Sequence, residues 1–199
     1  MMGDFSFEIR AATEADFEEL AHLERAAAQR FLEVPEQTGM SYEQLQETLE
    51  PHELERALAE GGLWVAVVEE RPAGFVATHR YPQSLYIREL DVLQEFGRRG
   101  IGRALVQRSF ERAAELQLPT VFLRTFHEVP WNAPFYARLG FEVVPFEDWT
   151  DARAQDVPVC EESYYNPDGT RNLECEGFFN SSFYHADALG HWYNIQKNI

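Results

Sequence analysis

Cysteine, lysine and long apolar runs are all scarce in this sequence of 199 residues. The two cysteines, Cys160 and Cys175, allow at most one bridge, which excludes a small fold built on a disulfide framework. The longest apolar run, at 63–68, is far too short to span a bilayer. Because the first ten residues also lack a signal-peptide pattern, we expect a cytoplasmic protein with no membrane partner.

Basic residues are few as well: 17 lysine and arginine residues stand against 34 aspartate and glutamate residues, a net charge of −17. Such a surface repels nucleic acid and anionic membranes, so neither is expected as a partner. The excess acid either keeps the protein soluble or attracts a cationic substrate, and composition does not decide between the two. An anionic ligand would need a local group of donors that acts against the overall field.

Apolar periodicity predicts a mixed chain of the α/β (α+β) class, in the order β-α-α-α-β-β-β-α-β-α-β. Thr13 and Asp16 have the spacing of a capping box at the start of the first helix. Residues 34–40 are predicted as a loop and 71–74 as a turn. The predicted strands are 7–13, 63–70, 75–81, 84–93, 120–126 and 141–146, and the predicted helices are 14–32, 41–49, 51–61, 102–117 and 132–140.

The composition changes after residue 148: both cysteines, five of six asparagines and the only lysine follow that point. We therefore divide the chain into a domain at 1–148 and a C-terminal appendage of unknown role at 149–199. An Asn-Pro-Asp-Gly turn at 166–169 favours a β-hairpin within 157–179, whereas 185–194 shows no clear pattern. The cysteines and two histidines, His185 and His191, match no zinc-finger spacing, so no metal is expected.

The stretch EFGRRGIGRALV, residues 95–106, places two glycines between a predicted strand and a predicted helix. The first turn of a helix leaves backbone N–H groups without partners, and the helix dipole adds positive charge there. Glycine lets an anion approach the backbone, and nearby arginines add donors that match phosphate oxygens. This is a local basic site on an acidic protein.

Three kinds of phosphate-binding loop have glycines at a strand-to-helix junction, and this stretch lacks key residues of two of them. A Walker A loop needs a lysine that is not there, and a dinucleotide fingerprint needs a third glycine where Leu105 stands. Two interpretations stay open on these residues alone. One is an acyl-coenzyme A pyrophosphate loop of the form R/Q-x-x-G-x-G/A, and the other is a plain strand-to-helix turn.

Two segments together, LYIRELDVLQEFGRRGIGRALVQRSFERA and NAPFYARLGF, resemble the GNAT (GCN5-related N-acetyltransferase) superfamily over about residues 5–147. The resemblance implies a mixed, mostly antiparallel sheet with splayed central strands, flanked by helices. It also implies acetyl-CoA as co-substrate and an amine as acceptor. The expected acceptor is a small-molecule, polyamine-like or peptide amine, and a homodimer is one arrangement left open.

By the same resemblance, the pyrophosphate loop is 97–103 and the pantetheine arm binds the backbone of the strand before it. The family usually has arginine or glutamine where Gly97 stands, and asparagine where Val129 stands, with Asn132 nearby. Asn132 then either reaches the cofactor or caps the short helix. The expected cofactor-binding residues are Leu90, Val92, Gly97, Arg98, Arg99, Gly100, Ile101, Gly102, Arg103 and Asn132.

Tyr136 matches the family's tyrosine, which donates a proton to the departing thiolate; as a structural alternative it is a core residue. The attacking amine must lose its proton, and our choice of acceptor is Glu89, with Asp91 on the same strand face. Glu89 as a structural partner of Arg88 or Arg80 stays open. So does a base on the next strand, which offers Arg124, Thr125 and His127, and His79 is the remaining histidine considered.

The acceptor pocket is expected between residues 31–42 and 127–132, with Trp131, Phe31 and Tyr42 as its floor. Glu33 and Glu36 are expected to hold a cation, as is Asp91. The hypothesis from sequence is therefore an acetyl-CoA-dependent N-acetyltransferase. The alternative is a non-catalytic acyl-CoA-binding module whose C-terminal segment docks a partner.

Overall fold

A computed structural model describes residues 5–126, 128–144 and 192–198 of the protein. These residues contain a seven-stranded sheet in the order β1-β2-β3-β4-β5-β7-β6. Only β4 and β5 pair in parallel, so the mixed, mostly antiparallel sheet that was expected is confirmed. The strands are β1 (Glu8–Ala11), β2 (Leu63–Val68), β3 (Arg71–Arg80), β4 (Ser84–Val92), β5 (Thr120–Phe126), β6 (Glu142–Val144) and β7 (Trp192–Asn198).

Helices cover both faces of this sheet, because its strands alternate apolar side chains between two cores. One core packs α4 against Val76, Leu85 and Leu123, and the other packs α1 and α3 against Val65 and Phe75. The helices within the described residues are α1 (Phe17–Ala28), α2 (Pro35–Thr38), α3 (Pro51–Ala59), α4 (Ile101–Glu115) and α5 (Ala133–Arg138). No helix in this part of the chain has the length and hydropathy to cross a bilayer.

The capping box predicted before α1 is present. The Thr13 N–H donates to Asp16 Oδ2 at 2.7 Å, and the Arg10 guanidinium lies 2.6 Å from the other carboxylate oxygen. These contacts hold the pKa of Asp16 down to about 2, chiefly through the bond from Arg10. The cap begins with a 3-10 turn, Glu14–Asp16, and the α-helix follows from Phe17.

Three local predictions were wrong. The expected loop at 34–40 contains α2, and the expected helix at 41–49 is only a 3-10 turn, Gln44–Gln46. At the end of this segment the Leu49 N–H donates to the Glu24 carboxylate, and not to the backbone carbonyl four residues earlier, as an α-helix would require. The tight turn before β3 lies at Glu69 and Glu70, both with positive φ, so 71–74 belongs to the strand.

Strand β7 was not predicted, yet it lies inside the sheet and pairs with both β5 and β6. Its sequence, WYNIQKN, carries asparagine, glutamine and lysine where an interior strand normally carries β-branched residues. The end of the segment 149–199 therefore contributes to the main sheet. The hairpin expected within 157–179, both cysteines, His127, His185 and His191 lie outside the described residues.

Candidate active site

A cleft opens in the middle of the sheet, between β4 and β5. The two strands pair only where Ser84–Ile87 of β4 lies beside Thr120–Leu123 of β5. On its other side, β4 pairs with β3. Ile87 lies opposite Thr78, and Glu89 lies opposite Ala77, the next residue of β3, so Arg88 is the extra residue of a bulge. Beyond the bulge β4 stays with β3 and leaves β5, which splays the central strands as the family resemblance implied.

The edge of β4 that faces this cleft carries backbone groups with no neighbouring strand. The Leu93 N–H donates to the Ala73 carbonyl at 2.9 Å, so the odd-numbered residues of this stretch turn their backbone toward β3. Leu90 and Val92 consequently turn theirs toward the opening. Leu90 N–H donates to Oε1 of Glu89 at 3.2 Å, so one of these groups is held by the neighbouring carboxylate.

A cavity of about 520 Å³ occupies the cleft and extends to the start of α4 and to α5. Arg99 and Glu33, predicted for the cofactor and the acceptor respectively, are not among the residues that line it. Arg99 places its guanidinium 4.6 Å from the centre of the Phe5 ring, and Glu33 accepts a bond from Gln94 Nε2 at 3.2 Å. The cavity is lined by the other predicted residues, namely Glu89, Leu90, Asp91, Val92, Gly97, Arg98, Gly100, Ile101, Gly102, Arg103, Trp131, Asn132 and Tyr136.

The loop before α4 presents a row of backbone donors to this cavity. Gly100 has φ of +90° and is the N-cap of the helix, and Ala104 N–H donates to its carbonyl at 3.0 Å. Within the described residues, no oxygen accepts a hydrogen bond from the N–H groups of residues 98–103. A Cβ on Gly102 would lie 3.4 Å from the Phe135 ring, so this glycine brings the helix close to α5. The arrangement suits a multiply charged anion such as a diphosphate.

Three carboxyl groups gather on the other side of the cavity. Burial raises the pKa of Glu89, and it raises the pKa values of Glu24 and Asp91 well above their usual range. The charge of Glu89 raises the pKa of the other two further, and Glu24 adds to that of Asp91. We call these three residues the carboxyl cluster. It is an acidic site in which one carboxyl readily keeps or accepts a proton.

Glu24 was not predicted as a site residue, although it lies on α1 and is only 6% exposed. Both of its oxygens accept a hydrogen bond from Leu49 N–H, at 3.1 and 3.0 Å. One feature of the sequence points to it: the 3.6-residue period of α1 places a glutamate on the same face as Leu20 and Leu23. A charged residue on a buried helix face needs a specific partner or a function.

The bulge residue Arg88 forms an ion pair with Glu53 of α3, with 2.7 Å between Nε and Oε1. The Arg88 charge also acts on Glu89, since it lowers a pKa that burial raises. His79 lies beside this pair, its Nε2 3.2 Å from the Glu53 carbonyl oxygen, and burial lowers its pKa to about 4. A histidine of this kind is neutral, and it is not among the residues that line the cavity formed by the described chain.

Tyr136 of α5 is 9% exposed and packs its ring edge-to-face with Phe135 and Phe141. Burial raises its pKa far above the ordinary value, and the charges of Glu89 and then Asp91 raise it further. The phenol is therefore protonated and lies within electrostatic reach of both carboxyls. Asn132 is the N-cap residue of α5 without a side-chain cap bond in the described structure, and its carbonyl accepts the Tyr136 N–H at 3.2 Å.

An aromatic wall closes the cavity away from the loop. Phe31 contacts Phe126 edge-to-face at 5.3 Å and lies 6.1 Å from Trp131, so two of the three expected floor residues are together. The third, Tyr42, is 57% exposed and is not among the lining residues, and neither is Glu36. Arg124 and Thr125, the residues that β5 offers for an alternative base, do line the cavity.

A family model described as "Acetyltransferase (GNAT) family" matches residues 18–141, well over half of the chain. The matched region begins just inside α1 and ends one residue before β6. It includes the splayed strands, the glycine loop, the carboxyl cluster and Tyr136, which are the features that form the cavity.

Three solved structures share the fold at low sequence identity. PaiA N-acetyltransferase of Thermoplasma acidophilum, solved with coenzyme A, gives a TM-score of 0.65 at 15% identity, covering 98% of this chain and 99% of that one. Arabidopsis thaliana Naa50 with the bisubstrate analogue CoA-Ac-MVNAL gives 0.59 at 15%, covering 98% and 99%. The ribosomal-protein-S18-alanine N-acetyltransferase of Escherichia coli gives 0.56 at 15%, covering 98% and 94%.

Proposed function

The chain belongs to the acetyltransferase (GNAT) family, and from this premise we propose that it transfers an acetyl group from acetyl-CoA to an amine. The observation that carries the proposal is the single cavity that joins the donor loop at 98–103, the open edge of β4 and the Tyr136 phenol. A binding module would need the first two features only. The carboxyl cluster beside the phenol is what favours an enzyme.

The residues present fit acetyl-CoA along the length of the cleft. The N–H groups of 98–103, with Arg98 and Arg103, match the charge and the acceptors of a diphosphate. The backbone groups of Leu90 and Val92 offer the pairing that a pantetheine amide makes when it lies beside a strand edge. When bound there, acetyl-CoA supplies a thioester whose C–S bond breaks as the C–N bond to the amine forms.

Glu89 is proposed as the group that takes the proton from the amine. An amine is a nucleophile only when neutral, whereas in water at neutral pH it is mostly protonated. The raised pKa of Glu89 brings it closer to that of the ammonium than an exposed glutamate would be. Its carboxylate is therefore a stronger base, and it remains ionised above its own pKa.

Tyr136 is proposed to protonate the coenzyme thiolate as the C–S bond breaks. Its high pKa keeps the proton on the phenol until negative charge develops on sulfur, and the charge of Glu89 contributes to that high value. Once Glu89 has taken the amine proton, this charge is gone and the phenol becomes the better acid. The base and the acid are thus coupled, so that proton uptake at one favours release at the other.

Calorimetry with acetyl-CoA, followed by a thiol-release assay over a panel of amines, tests the proposal. We expect saturable binding of acetyl-CoA and coenzyme A release that depends on the amine. Glu89→Gln should bind acetyl-CoA normally and release little thiol, whereas the control Glu55→Gln, an exposed change on α3, should match the wild type. Binding without thiol release for any amine would favour the acyl-CoA-binding module, and absence of binding would contradict both.

A further inference from the structure

Arg30 lies just beyond α1 and lines the cavity on the side of the aromatic wall. Its guanidinium carbon lies 3.9 Å from the centre of the Trp131 ring, a cation–π contact. Such a contact orients the guanidinium but uses none of its five N–H donors in a hydrogen bond. The side chain is therefore held in place while its N–H groups can still donate hydrogen bonds to a ligand.

Within the described residues, no carboxylate or carbonyl accepts a hydrogen bond from Arg30, and its Nε is buried without a partner. Two other arginines of this region do have partners. Arg25 Nε donates to the Gln46 carbonyl at 3.2 Å, and Arg88 pairs with Glu53. A buried donor without an acceptor is costly, and in a chain with 34 acidic residues an acceptor is not in short supply. The missing partner is consistent with a ligand that brings one.

The carboxyl cluster and Arg30 form two poles of opposite charge in one cavity. Glu24 lies in α1 and Arg30 in the 3-10 turn, Gln29–Glu33, that continues it, so the two are six residues apart and separated by roughly 9 Å along the helix axis. The two poles are therefore separate, and an acceptor placed between them would meet anionic groups at one end and a cationic group at the other.

We propose that Arg30 is a specificity-determining residue that binds a carboxylate of the acceptor, so that the substrate class is an amine that also carries a carboxylate. An amino acid or a short derivative of one carries both an amine and a carboxylate, whereas a polyamine carries no carboxylate. The inference rests on the proposed acetyl transfer and assigns the acceptor of that same site. The guanidinium fork matches a carboxylate in two parallel hydrogen bonds, which a primary amide cannot accept with equal strength.

Matched acceptors test the inference on the wild-type protein. The twenty common L-amino acids, the corresponding L-amino acid amides and putrescine are each supplied with acetyl-CoA, and thiol release is followed. We expect at least one amino acid to exceed its own amide in kcat/KM by about 10- to 100-fold, as a charge-assisted hydrogen bond provides. Putrescine should be a poor substrate.

Arg30 variants then assign that preference to this side chain. Arg30→Gln should lower kcat/KM for the amino acid by about 10- to 100-fold, mainly through KM, and leave the amide unchanged. Arg30→Lys should recover part of the loss, since it keeps the charge and not the fork. Acetyl-CoA affinity should not change in either variant. The control Arg71→Gln, at an exposed site, should behave as the wild type.

Several outcomes would overturn the inference and leave the acetyltransferase proposal standing. Amides or putrescine used as well as amino acids would do so, as would an equal loss on acid and amide in Arg30→Gln. A loss of acetyl-CoA affinity in that variant would show that the anion at Arg30 is a coenzyme phosphate. Acetyl-CoA binding without thiol release from any of these probes also overturns it. Failure to bind acetyl-CoA would instead overturn the proposed function itself.

Discussion

The guanidinium of Arg88 and the carboxylate of Glu53 form an ion pair at 2.7 Å in which each side chain is only 12% exposed. Arg88 is the extra residue of the bulge in β4, and Glu53 belongs to the first turn of α3. The pair therefore ties the point where β4 leaves β5 to a helix on one face of the sheet. We infer that it holds the cleft open and sets the direction of Glu89, the next residue.

Removing one partner of this pair should destabilise the fold strongly. Glu53→Gln leaves the Arg88 charge buried without its counter-ion, for which a loss of about 3 kcal/mol in the free energy of unfolding is expected. Urea denaturation measures this loss. The control Glu55→Gln, an exposed site on the same helix, should stay within about 0.5 kcal/mol of the wild type. Equal stability of the two variants would show that the pair contributes nothing.

Much of the fold and of the candidate site can be predicted from short stretches of the sequence. Strand 120–126 is a short run rich in β-branched and aromatic residues, and the Thr13 and Asp16 cap is read from four residues. The glycine loop and Tyr136 came from short motifs whose chemistry is local. Such features are predictable because neighbours in the sequence produce them.

Features that depend on contacts between residues far apart in the sequence could not be predicted in this way. Strand β7 is polar in sequence and becomes a strand because β5 and β6 both offer it backbone partners. Residues 41–49 have helical spacing, yet the Glu24 carboxylate takes the Leu49 N–H. Glu24 itself belongs to the carboxyl cluster only because α1 packs beside β4. In each case a tertiary contact outweighs local preference.

Substitution of Gly100 should weaken cofactor binding beyond its effect on the fold. Its φ of +90° strains any residue with a Cβ, so Gly100→Ala should lose about 1 kcal/mol of stability and distort the donor loop. We expect acetyl-CoA affinity to fall about tenfold by calorimetry. Gly39→Ala is a matched control, because Gly39 has φ of +64° with open space around it and does not line the described cavity. Equal affinity in the two variants would exclude the loop from binding.

Tyr136→Phe should separate binding from chemistry. The variant keeps the ring packing against Phe135 and Phe141 but loses the proton donor, so kcat should fall by about 100-fold with acetyl-CoA affinity unchanged. Steady-state kinetics and calorimetry together measure this. Tyr42→Phe, at an exposed residue that is not among the cavity lining, should retain full turnover. A fully active Tyr136→Phe would remove the phenol from the mechanism.

The pH dependence of kcat/KM should report the ionisation of Glu89. Burial raises the pKa of this carboxyl, and its ionised form is the active base, so activity should decline as the pH falls through a value above that of an exposed glutamate, about 4.3. Glu89→Gln should lower kcat/KM by about 100-fold or more and abolish this acidic limb. An unchanged limb in the variant would transfer the role to another group.

Asp91 should affect stability in a direction opposite to the usual one for an acidic residue. Its pKa in the folded protein is raised well above the ordinary value, by burial and by the charges of Glu89 and Glu24. The folded state therefore binds this proton more tightly than the unfolded state, and stability falls as the pH rises through that window. Asp91→Asn removes the ionisation, so it should stabilise the protein at neutral pH.

This gain should disappear as the pH falls toward about 3.9, below which Asp91 is protonated in both states.

Asp16→Asn is a control of opposite sign. The pKa of Asp16 is lowered to about 2, so its stabilising contribution is complete above the unfolded value and is lost as the pH falls through about 2. Asp16→Asn should therefore destabilise the protein at neutral pH. Denaturant titrations of both variants across this pH range measure the two effects. A destabilised Asp91→Asn at neutral pH would contradict the prediction, because it would mean that the fold stabilises the ionised form of Asp91.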